Sequence, residues 1–173
     1  SRISASFMRT SITSRSRSCA LSAKCFVVAT MSFDWMPRTD SPQFASWLLQ
    51  VLPVAFLAIT FVQSGLDKVI DWKGNLGWLT QLFSKVPLLR GLVKPMLATL
   101  TLLELVAGAL CAAGVIALVA TGSPRLACLG AMLSGVTFLA LLFGQRMAKE
   151  YTGAAGLGPY FLISLAAIYL TRG

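Results

Sequence analysis

Four long apolar runs decide what this chain can fold into. They extend from Phe44 to Leu66, Met96 to Ala120, Leu126 to Phe143 and Gly153 to Leu170, and one charged side chain, Glu104, lies within them. A helix rises 1.5 Å per residue, so about 20 apolar residues cross a hydrocarbon core roughly 30 Å thick. The last two runs sit near the lower limit of length. A segment in lipid must close its own backbone hydrogen bonds, which a helix does. The runs therefore predict an all-α fold: a four-helix transmembrane bundle with both ends on one side of the membrane.

Composition supports this and excludes several functions. Of the residues, 56% are hydrophobic and 12% charged, against about a quarter charged in soluble domains. A soluble domain of this size must expose much of its surface to water, and this composition does not suit that. The chain has no histidine. That excludes a bis-His cytochrome, a His-bearing zinc site and a Ser-His-Asp hydrolase. Asp and Glu together number 6, which argues against a carboxylate-bridged metal cluster. No metal site and no catalytic residue is predicted. Enzymatic activity is left open, with a non-catalytic role preferred. The formal charge is +9. Its positive residues lie in a tail and in loops between apolar runs, where they act on topology and on lipid headgroups. No nucleic-acid motif accompanies them.

Residues 1–43 differ from the rest, and the membrane domain is expected to occupy 44–173. The first thirty residues hold Arg2, Arg9, Arg15, Arg17 and Lys24, many serines and no acid. That composition resembles an organelle transit peptide. The preferred reading is a mature product that keeps a basic tail; the other is a natural start at Met31. Cys19 and Cys25 fall in this tail, whereas Cys111 and Cys128 fall in apolar runs, where cysteine behaves as a small hydrophobe.

Between the first and second spans, Asp71-Trp72-Lys73-Gly74-Asn75 reads as a turn. After it, Leu76, Leu79, Leu82, Phe83 and Val86 recur at helical spacing. They predict a short amphipathic helix at the interface, with Trp72 and Trp78 in the aromatic belt. Pro53 is a candidate kink in the first span, and Pro95 suits a helix start. Thr121-Gly122-Ser123-Pro124 can only make an antiparallel hairpin. Residues 144–152 read as a charged loop. Counted with the tail, the positive charges on the two sides nearly balance, so no orientation follows.

Helices in lipid pack through close contact at small residues. Gly108 and Ala112 on the second span, and Gly130 and Ser134 on the third, are the expected seam. Gly153, Gly156 and Gly158 on the fourth are likewise expected to pack closely. Tyr151, Tyr160 and Tyr169 read as interface or bundle aromatics.

Glu104 is the residue of most interest. An acid at the centre of a span is expensive to insert, by about 2.5–3.5 kcal/mol, so it should face the bundle and find a partner. It lies about 12 Å along its helix. Gln63, Ser64 and Lys68 end the first span at a similar depth. The expected intramembrane cluster is Glu104, Gln63, Ser64 and Lys68, with Gln63 donating to Glu104 and Lys68 or Ser64 nearby. It serves either as a packing clasp or as a proton- or quinone-binding site.

The stretch Phe61-Val62-Gln63-Ser64-Gly65-Leu66-Asp67-Lys68 resembles the F-x3-G-x2-K pattern of the DoxX-like family. Glu104 followed by Gly108 and Gly114, and a short fourth span after a polar loop, are similar to that family as well. The resemblance covers about residues 44–170. It implies a small four-helix membrane protein, with Gly65, Lys68 and Glu104 as the positions of interest. Some members are linked to quinone-dependent sulfur oxidation or to membrane oxidoreductase assemblies. The chain lacks a paired redox cysteine, which weakens a thiol-oxidoreductase role.

Taken together, the sequence favours a non-catalytic accessory subunit of a membrane electron-transport complex, surrounded by lipid and by partner subunits. The alternative is a quinone-linked oxidoreductase component with Glu104 and Lys68 near the head group. No tightly held cofactor is predicted; a quinone or a bound phospholipid is the class of small molecule that suits the cluster. The tail favours the mitochondrial inner membrane, with a bacterial plasma membrane as the alternative. A transporter has little support, because no internal repeat accompanies the single acid.

Overall fold

The structure, a computed structural model, describes residues 37, 39–85 and 91–172. The tail up to residue 36, Arg38 and Val86 lie outside the described residues. So do the expectations placed on Cys19 and Cys25. Among the described residues all regular structure is helical. Helix α1 is Pro42–Ile70, α2 is Trp72–Leu82, α3 is Val93–Thr121, α4 is Arg125–Met147 and α5 is Tyr151–Thr171. A short 3-10 turn, Phe83–Lys85, follows α2. Helices α1, α3, α4 and α5 are each long and apolar enough to cross a membrane.

The crossing helices outrun the apolar stretches that announced them. Helices α1 and α3 have 29 residues each, α4 has 23 and α5 has 21, or about 44, 44, 35 and 32 Å. Neither late helix is therefore short for a bilayer. The supposed charged loop shrinks to residues 148–150, because helical hydrogen bonding continues through Gly144, Gln145 and Arg146. Polar side chains at a helix end reach the headgroup layer, so their arrival does not end the helix.

Local chemistry sets the helix boundaries. Pro42 occupies the first turn of α1, and Pro95 the first turn of α3, where its missing N–H has no intrahelical partner to lose. Gly122 ends α3 at φ 68°, in the left-handed region that glycine enters freely. The expected turn at 71–75 is instead a helix start. Asp71 caps α2 by accepting a 3.0 Å hydrogen bond from the Gly74 amide. Asp and Gly together looked like a turn, but an Asp three residues before an amide is also an N-cap.

The bundle packs in chain order, α1 on α3, α3 on α4, α4 on α5, with α5 closing back on α1. Its core joins Val54, Leu57 and Phe61 of α1 to Ala107, Cys111 and Leu118 of α3, to Ala127, Ala131 and Phe138 of α4, and to Ala167 of α5. Phe61 and Phe138 meet with their rings tilted by 41° and their centroids 4.7 Å apart, and Phe138 stacks on Tyr160 of α5 at 5.9 Å. Arg146 sits over Tyr151 and Arg172 over Tyr169, at opposite ends of α5.

The small residues divide into two groups. A Cβ at Gly108 would meet the Val62 backbone nitrogen at 2.9 Å, one at Gly114 the Ala127 Cα at 2.6 Å, and one at Gly130 the Cys111 nitrogen at 2.8 Å. These glycines let helix backbones touch. Ala112 is half-buried beside them. Ser134 is buried and donates to the Gly130 carbonyl at 2.8 Å, within its own helix. Gly156 and Gly158 differ: a Cβ on either meets nothing within 4 Å. Close packing there is not observed, because α5 turns that face outward.

Helix α2 folds back onto the bundle. Its Leu79, with Phe83 just beyond, is buried against Val93 and Leu97 at the start of α3, and Met147 packs against the same cluster. Trp78 is exposed.

Candidate functional site

The F-x3-G-x2-K residues share one face of α1. Phe61, Gly65 and Lys68 are spaced four and three apart, which puts them in line on a helix, and that line faces α3. Phe61 and Gly65 are buried. A Cβ at Gly65 would lie 2.7 Å from the Leu105 side chain. Close approach at Gly65 and again at Gly108 draws α1 and α3 together on either side of Glu104.

Glu104 is fully buried. Lys68 Nζ donates to its Oε2 at 2.8 Å, and Ser64 Oγ donates to the same oxygen at 3.1 Å. Lys68 also donates to Ser64 Oγ at 2.8 Å. The three groups form a closed triangle of charge-assisted hydrogen bonds. The side chain of Lys68 is 16% exposed and that of Glu104 is 0% exposed. The lysine thus runs from the rim inward to an acid that has no contact with solvent. Glu104 Oε1 is buried without a hydrogen-bond partner among the described residues.

Gln63 is not part of this cluster. Its side chain is exposed, and the donors to Glu104 are Ser64 and Lys68. Depth along the helix is right for Gln63, but one residue is 100° of rotation. Ser64 and Lys68, four apart, share the inner face; Gln63 turns out of it.

Lys68 also borders a cavity of about 570 Å³, within the range of about 300–1,000 Å³ usual for small-molecule sites. Helix α2 roofs it with Trp78 and Leu79. Leu100 and Leu103 of α3 form one wall, and Ala140, Leu141, Gly144 and Gln145 of α4 the other. The lining is apolar except for Lys68, Asn75, Thr99 and Gln145. Thr99 and Ala140 are exposed on the outside of the bundle, so the cavity reaches the lipid-facing surface. The sequence reading missed both this cavity and Gln145, because residues 144–152 passed for a loop. The detectable signal was register: Leu141 and Gln145 are four apart, as are Ala140 and Gly144, and small residues on one face leave room beside it.

No group of three or more His, Cys, Asp or Glu residues among those described is placed to hold a metal ion. Searches of family models, of curated proteins and of solved structures returned no match to this chain.

Proposed function

We propose that this chain is an integral membrane subunit of an electron-transport assembly, and that it binds a quinone-class molecule in the cavity beside Lys68. The supporting observation is the junction of an apolar cavity, open toward lipid, with a buried Lys68–Ser64–Glu104 triangle. Lys68 and Glu104 cancel each other's charge, and Gln145 and Asn75 are neutral. The polar end therefore suits a neutral head group with oxygen functions better than a phosphodiester. The volume suits a ring and the start of its tail, the rest of which would extend through the opening into lipid.

The residues have separate tasks in this reading. Trp78, Leu79, Leu100 and Leu103 hold the ring by apolar contact and exclude water. Lys68, fixed by Glu104 and Ser64, marks the polar end. A quinone, when bound, would supply the two-electron chemistry. The electrons would come from a redox centre on a partner subunit, since the chain has no histidine and no CxxC pair. DoxX-like kinship, an accessory place in a respiratory complex and residence in the mitochondrial inner membrane belong to the same proposal. The Phe61–Lys68 pattern and the basic composition of residues 1–30 support them.

Solvent extraction of the chain purified in mild detergent, followed by mass spectrometry, tests the binding. A near-stoichiometric quinone is expected, and Gly144→Leu should remove it by filling the cavity. An extract holding only phospholipid, together with migration as a free monomer on a native gel, would refute the reading.

A further inference from the structure

We infer that the cavity favours the reduced, hydroxyl-bearing form of its ligand and that Asn75 is the residue that tells it from the oxidised form, an assignment that rests on the quinone-class reading above. Donors in the cavity cannot make that distinction, because a quinone carbonyl and a quinol oxygen both accept. An acceptor can, since only the quinol has a hydroxyl proton to donate.

Asn75 supplies that acceptor. It belongs to the face of α2 that roofs the cavity: Asn75, Trp78, Leu79 and Leu82 all line it, at the three- and four-residue spacing of one helix face. Its Nδ2 donates to the Asp71 carbonyl at 2.8 Å and to the Asp67 carbonyl at 3.5 Å. Both neighbours are acceptors, so the amide nitrogen is fixed on that side and the oxygen is turned from it. Asp67 directly precedes Lys68, which anchors the carboxamide at the polar end of the cavity. Among the described residues nothing donates to Asn75 Oδ1. The unpartnered side-chain oxygens closed to solvent are Glu104 Oε1 and Gln145 Oε1. Asn75 is half-buried and its oxygen is not one of these, so it keeps open surface on a residue that lines the cavity.

The other polar side chains of the lining do not discriminate in this way. Lys68 can only donate, and its short contacts are committed to Ser64 and Glu104. Gln145 Oε1 is closed off. Thr99 differs from the other threonines of α1, α3 and α4, Thr60, Thr101, Thr121 and Thr137, each of which donates to the carbonyl four residues back. Its hydroxyl can donate to a ring oxygen of either form. A quinol therefore has one partner in this cavity, Asn75 Oδ1, that its quinone lacks.

Anaerobic titration calorimetry on the full-length chain in mild detergent tests this. The probes are a decyl-substituted benzoquinol, the matching quinone and the quinol's dimethyl ether, which cannot donate. Wild type should bind the quinol about 3- to 10-fold more tightly than either of the others, the equivalent of one hydrogen bond. Asn75→Leu should bring all three to similar affinity, with Asn75→Met as the second variant if the first does not elute as a single species. Saturable binding in wild type with no preference for the quinol would overturn the assignment and leave the quinone reading standing, and so would a preference that survives in the Asn75 variants. Absence of saturable binding by any of the three would overturn both.

Discussion

Lys68→Met should destabilise this protein far more than Glu104→Gln. The lysine variant removes the cation and leaves a fully buried carboxylate with only Ser64 to bond it. Breaking a buried pair in this way costs about 3–5 kcal/mol, because the remaining charge is unpaired. The glutamine variant leaves Lys68 with Ser64 Oγ at 2.8 Å and a partly exposed stem. That lysine can move its ammonium outward toward the headgroups, and the glutamine can still bond Ser64. The loss should then be nearer one interhelical hydrogen bond, about 0.6 kcal/mol and at most about 1.7. The double variant Lys68→Met/Glu104→Gln should recover most of what the lysine variant loses. Thermal melts in mild detergent read the difference. Several kcal/mol corresponds to a fall on the order of 10 °C for a domain of this size, against a few degrees for Glu104→Gln. Equal, small shifts for the two single variants would refute the reasoning and reduce the triangle to ordinary hydrogen bonds.

A glycine in the seam and a glycine on the outward face of α5 should respond in opposite ways. Gly114→Ala places its methyl 2.6 Å from the Ala127 backbone and should cost about 1–3 kcal/mol, whereas Gly156→Ala meets open space and should stabilise by about 0.5–1 kcal/mol, both read by thermal melts. Gln63→Leu should shift stability by less than about 0.5 kcal/mol, since its side chain is exposed and outside the triangle; a larger loss would return it to the cluster. Lys149 has a φ of 59°, uncommon for a residue with a side chain. Lys149→Gly should therefore raise stability by about 1 kcal/mol in the same melts.

The fold was legible because lipid leaves few choices. Four charge-poor runs had to become helices; of the segments between them, the periodicity from Leu76 announced α2, whereas polar residues that read as turns misplaced its start at Asp71 and the end of α4. The site was half legible. The insertion penalty of Glu104 demanded a partner, and the depth of Lys68 and Ser64 made them available. What depth cannot supply is rotation, so Gln63 was placed inside although its neighbour Ser64 holds that face. Gly156 and Gly158 show the same gap: a small residue permits close packing, but only the direction of its face decides whether a helix is there. Gln145 was hidden by the assumption that charge near Arg146 and Lys149 begins a loop, when α4 continues to Met147.

The measurement that bears most directly on the four crossings is labelling of single cysteines in sealed vesicles, on a chain with its four native cysteines replaced by serine or alanine. Ser123→Cys sits in the turn between α3 and α4, and Lys149→Cys in the turn between α4 and α5. A membrane-impermeant maleimide should reach one of these from outside and the other only after the vesicles are opened. Labelling of both from the same side without opening would contradict a crossing by α4.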